Sequence, residues 1–116
     1  MGRQDPFTKY EAVLLLEAYL KTISGNMTRK EAIERCSNDL RQLAVENGIA
    51  IDEKFRNVSG ITFQMMRMES AYCGKTVAIS STRLFTEIVN IYKSNPEKYE
   101  RILNEAKQLL KQKDNG

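Results

Sequence analysis

The sequence predicts an all-α fold: a compact single domain of about five helices, with room for a minor two-stranded β ribbon. Three observations lead there. Apolar residues recur at steps of three and four in five separate stretches, the spacing that lines one face of a helix. A capping box occurs at Thr8 with Glu11 and again at Thr28 with Glu31; in each the threonine oxygen accepts from a free backbone amide and the glutamate reaches back. Gly25, Gly48, Gly74 and the Asn95-Pro96 pair fall where the periodicities end.

The first box opens a helix over 9–23 that stops before Gly25. Val13, Leu16, Leu20 and Ile23 line one face, and Leu14, Leu15 and Tyr19 widen it, which places this helix at the centre of the core. The second box opens a helix to about residue 47, with Gly48 as its stop. Ile33, Cys36, Leu40, Leu43 and Ala44 turn inward while charged residues turn out, the pattern of a solvated outer helix. Residues 48–58 form a connector with a turn after Asp52. A third helix covers 58–72, with Val58, Ile61, Met65, Met68 and Tyr72 inward and Phe63 and Met66 off that stripe. After a loop, Ser81 can cap a fourth helix over 82–93 on Leu84, Phe85, Ile88, Val89 and Tyr92. Pro96 starts a fifth over 96–111 on Tyr99, Ile102, Leu103, Ala106 and Leu110, because proline in the first position sacrifices no hydrogen bond. The ribbon would pair Ile49-Ala50-Ile51 with the alternating Thr76-Val77-Ala78-Ile79. The domain spans 7–111, with 1–6 and 112–116 as flexible tails.

A chain of 116 residues is one domain, able to bury roughly two-thirds of the surface its unfolded form exposes. No apolar run approaches the length of a membrane span, and the N-terminus has no apolar signal stretch, so a cytoplasmic protein is expected. Cys36 and Cys73 are too few for a disulfide framework or a four-thiolate zinc site. The chain has no histidine. It therefore lacks Ser-His-Asp and Cys-His nucleophile systems, Cys/His zinc sites and the usual general base. The expectation is a protein that is not an enzyme and uses no cofactor or metal.

Short motifs add little. Gly74-Lys75-Thr76 resembles the end of a phosphate-binding loop, but that loop needs a glycine where Glu69 stands and a strand where a helix is predicted. Asn26-Met27-Thr28 and Asn57-Val58-Ser59 match the glycosylation pattern by chance. Met65, Met66 and Met68 suit either an adaptable binding surface or an irregular core; the inward stripe claims two of them and leaves Phe63 and Met66 as candidate partner-binding residues.

The charge is more suggestive. The net +3 lies entirely within 61–116, and over 54–83 Lys54, Arg56, Arg67, Lys75 and Arg83 face Glu69 alone. Such a local excess suits a polyanion. Arginine can pair guanine edges or phosphates, and asparagine or glutamine can pair adenine edges. Arg56, Asn57, Gln64 and Arg67, set along one helix after a connector, could face a DNA groove, with Lys75 and Arg83 adding phosphate contacts. The competing reading is that Arg56 and Asn57 tie down the connector and cap the third helix. On the residues alone that reading is the stronger.

The run Phe55-Arg56-Asn57-Val58-Ser59-Gly60-Ile61 resembles the Phe-Arg-Asn-x-x-Gly stretch of helical modules at the front of bacterial multidomain proteins, several of which carry HNH-type nuclease domains downstream. The opening helix and Ser37-Asn38-Asp39-Leu40-Arg41 resemble the first two helices of the same modules. The resemblance implies an accessory module that places a neighbouring effector on double-stranded DNA in a restriction or mobile-element system. It transfers no catalytic residue. It tilts the reading toward DNA binding, with a protein-interaction or oligomerisation module as the alternative.

Overall fold

Both capping boxes close. Thr8 Oγ1 accepts from the Glu11 amide at 3.2 Å while Glu11 Oε1 accepts from the Thr8 amide at 2.9 Å, and Thr28 with Glu31 repeats the arrangement. The computed structural model describes residues 7–74 and 81–111. Five helices result: α1 (Lys9–Ile23), α2 (Arg29–Glu46), α3 (Val58–Cys73), α4 (Arg83–Ser94) and α5 (Pro96–Lys111). The fourth cap departs from expectation. Thr82, in extended backbone, accepts from the Phe85 amide at 3.1 Å, so the cap lies one residue later than Ser81. Gly74 closes α3 in the left-handed conformation at φ 69°, where any residue with a Cβ is strained against its own backbone, and its amide donates to the Ser70 carbonyl.

Contacts at the helix ends define the topology. At one end Arg56, just before α3, lies on the ring of Phe7, which meets Phe85 in the first turn of α4 edge-on at 5.5 Å. At the other end Tyr72 of α3 meets Tyr19 of α1, and Lys93 of α4 donates to the Tyr72 carbonyl at 2.7 Å. Helices α1, α3 and α4 therefore run the same way. Helix α2 runs against α3, since Arg29 meets Glu69 and Ser37 meets Arg56. Helix α5 runs against α1, since Tyr99 reaches Val13 and Glu17 while Glu105 reaches Tyr10.

Helix α1 touches all four others, and Ala12, Val13, Leu15 and Leu16 are fully buried. The wide apolar circumference read from its sequence is thus spent on several neighbours. Two residues placed inward by periodicity are exposed instead: Ile23 and Val58. Each is the terminal residue of its helix, where the stripe has run past the neighbours that would cover it. Among the described residues there is no strand; residues 49–51 are irregular, while 76–79, Ser80 and both tails lie outside the described residues.

A chain of ring contacts links Tyr19, Tyr72, Tyr92 and Tyr99 across α1, α3, α4 and α5. Burial beside the Glu17 carboxylate pushes the Tyr99 hydroxyl well above its ordinary range, and burial with contact to Cys73 raises Tyr19 to about 12. Raised folded-state values stabilise the fold fully below the unfolded tyrosine pKa of about 10, and that contribution is lost as pH rises through the folded values. The urea midpoint should therefore fall as pH rises beyond about 10. Tyr99→Phe should flatten that alkaline fall, read by circular dichroism across the same urea titrations.

Candidate partner-docking face and the buried arginine

Arg56 is 3% exposed, which overturns its expected place on a DNA-facing strip. Its Nε donates to Glu11 Oε2 at 2.9 Å and its Nη2 to Glu11 Oε1 at 3.0 Å, a bidentate pair between α1 and the connector. The rings of Phe7 and Phe55 hold the guanidinium at 4.2 and 4.5 Å. Arg56 also has a left-handed backbone at φ 48°, unusual for a residue with a Cβ. Helix α2 fixes that conformation from below. Ser37 Oγ donates to the Arg56 carbonyl at 2.6 Å, and Arg41 Nη1 donates to the carbonyls of Asp52 and Phe55. Asp52 Oδ1 accepts from the amides of Lys54 and Phe55, forming the turn expected after Asp52.

Asn57 is likewise withdrawn from base contact. Its Oδ1 accepts from the Gly60 amide at 2.8 Å and so caps α3. A Cβ at Gly60 would stand 3.2 Å from that oxygen, so the glycine leaves room for the cap. The Phe-Arg-Asn-x-x-Gly run is thereby accounted for piece by piece: Phe55 covers the guanidinium, Arg56 pairs with Glu11, Asn57 caps, and Gly60 makes room. These residues build the connector. They do not present a surface.

The remaining DNA candidates lie on α3, on α4 and beyond the described residues. Gln64 is half-buried, Arg83 is exposed on the first turn of α4, and Lys75 lies outside the described residues. Arg67 is half-buried with its guanidinium 4.8 Å above the ring of Phe63, one turn earlier on α3. Its Nε is buried with no hydrogen-bond partner among the described residues. The ion pairs among the described residues are Arg56 with Glu11 and Arg29 with Glu69, and neither involves it.

The two residues assigned to a partner are on the surface. Phe63 is 41% exposed and Met66 37%; Val58, at 47%, stays on the inward stripe and is bare because α3 begins there. Thr62 and Cys73 lie exposed on the same outer side of α3. Opposite them Ile61, Met65 and Met68 are fully buried, so the helix presents one apolar face to the core and a second, smaller one outward.

Other chemistry among the described residues is sparse. Cys36 is buried, and desolvation pushes its thiol far above the ordinary range, so it is inert as a nucleophile. No group of three or more potential metal ligands occurs among the described residues. Two recesses of about 100 and 120 Å³ flank the Arg56 pair and the α1–α2–α5 junction, against roughly 300–1,000 Å³ for ordinary small-molecule sites. No described helix is long and apolar enough to cross a membrane. The chain matches no family model, no curated protein and no solved structure.

Proposed function

We propose that this domain is a non-catalytic protein-interaction module of the cytoplasm, which docks a partner through the outer face of α3. The observation that carries the proposal is the exposure of Phe63 and Met66, with the Arg67 guanidinium on the Phe63 ring, on a helix whose opposite side fills the core. Aromatic residues, methionine and arginine are the types enriched at protein interfaces, where lysine and acidic residues are depleted. The competing duplex-binding reading needs Arg56 and Asn57 on the surface, and both are committed to the connector. An accessory module attached to an effector domain suits the likeness to the bacterial multidomain proteins. The partner in that setting is a neighbouring domain or subunit.

A photo-crosslinking amino acid at position 66 tests this in the native cell. A discrete protein adduct is expected there, lost when Phe63→Asp is added, with none from the exposed control position Glu100 on α5. The isolated domain should not retain duplex DNA at about 50 mM salt. Nucleic-acid adducts, or duplex affinity falling with a log–log salt slope near about −4, would restore the DNA reading instead.

A further inference from the structure

We infer that Asn47-Gly48 is a site of spontaneous deamidation, that the C-cap of α2 sets its rate, and that the carboxylate it creates weakens the end of α2 beside the Glu11–Arg56 pair. The Gly48 backbone nitrogen attacks Cγ of the Asn47 carboxamide and closes a five-membered succinimide. The Gly48 amide proton is lost, and the side-chain nitrogen leaves as ammonia. Water then adds to one of the two ring carbonyls and breaks its bond to the ring nitrogen, leaving aspartate or its β-linked isomer. Glycine in the second position speeds the attack, because it has no Cβ to crowd the nitrogen or restrict the backbone. Among the described asparagines Asn47 alone precedes a glycine, and both residues are exposed to water.

The folded chain holds that attack off. Ring closure needs the Gly48 nitrogen to eclipse Cβ about the Asn47 Cα–C bond, and at ψ 10° it is turned away. The same nitrogen donates to the Val45 carbonyl at 3.0 Å, and the Ile49 amide donates to the Ala44 carbonyl at 2.9 Å. These cap bonds must open before Asn47 can turn, and helix ends open far more readily than the core unfolds. The product carboxylate is poorly placed. The last turn of α2 has no basic residue, and its carbonyls form the negative end of the helix dipole. Glu46 stands next in the chain, with one buried oxygen that accepts no hydrogen bond among the described residues. Asn47 also lines the recess of about 100 Å³ that Glu11 and Arg56 line. A negative charge at position 47 therefore meets like charge from the helix end, from Glu46 and from Glu11.

The test is peptide mapping by mass spectrometry of the full chain, aged in mildly alkaline buffer beside a synthetic peptide of residues 42–54. Asn47 should convert to aspartate and isoaspartate in both, roughly ten- to a hundredfold more slowly in the folded chain. Urea above the unfolding midpoint should bring the chain to the peptide's rate. Val45→Gly, which loosens the last turn, should speed the folded chain about two- to fivefold. Asn47→Asp should lower the urea midpoint, whereas the same charge added by Asn104→Asp on the exposed side of α5 should leave it in place. Equal rates in chain and peptide, Asn47 intact in the chain after about a hundred peptide half-lives, or an Asn47→Asp chain as stable as the parent would each overturn the inference.

Discussion

Arg56→Ala should cost about 3–5 kcal/mol of folding stability, because it strands a buried carboxylate. Glu11 and Arg56 are 6% and 3% exposed, and removing the arginine leaves Glu11 with the Thr8 amide but without its two guanidinium donors. The rings of Phe7 and Phe55 lose the plane they enclose in the same step. A domain of this size commonly has only some 5–15 kcal/mol in hand, so the variant should unfold at much lower urea. The measurement is equilibrium urea unfolding. A surface DNA contact would behave in the opposite way, leaving the midpoint in place and lowering duplex affinity.

The second large effect separates the methionines of α3. Met65 and Met68 are fully buried against the other helices, and either one changed to alanine should cost about 2–5 kcal/mol through lost burial and an unfilled cavity. Met66, two residues from Met68 and 37% exposed, should tolerate alanine within about 0.5 kcal/mol. The same urea experiment reads both. If Met66→Ala proved as costly as Met68→Ala, the outer face of α3 would be a buried surface of the fold, and the docking reading would lose its ground.

How far the sequence foretold the structure depends on the range of the forces involved. Helix boundaries are local, and the two threonine–glutamate boxes, the positive-φ glycines and Pro96 placed them almost residue for residue. The inward stripe of α2 held throughout, since every residue named for it is buried. The destination of Arg56 is a tertiary matter. Its partner lies 45 positions away on α1, and Glu11 already had a complete local explanation as a cap residue. One carboxylate serves both purposes, a double use that spacing cannot reveal. Ser37 and Arg41 were missed for a similar reason: they stand one turn apart on α2, but their acceptors are backbone carbonyls of the connector. A signal was present in Phe55, an apolar residue beside an arginine in a short polar connector, which suggests a covered guanidinium. Phe63 and Met66 were legible as outward because they break the stripe. Val58 was not, because periodicity does not say where along a helix the neighbours stop.

Distinctive motifs invite functional readings, and here the most distinctive run is the one most completely used by the fold. The bidentate pair, the asparagine cap and the glycine beside it explain that run without any ligand. Arg67 has no such network: its Nε is buried without a hydrogen-bond partner among the described residues.

A double-mutant cycle on Glu11→Ala and Arg56→Ala, followed by urea unfolding, bears most directly on whether Arg56 is part of the scaffold. The structure predicts that the double variant is more stable than the two single losses would sum to, with a coupling above about 1.5 kcal/mol, as for residues in one buried network. Additive losses, or an Arg56→Ala chain as stable as the parent, would put the guanidinium back on the surface and contradict it.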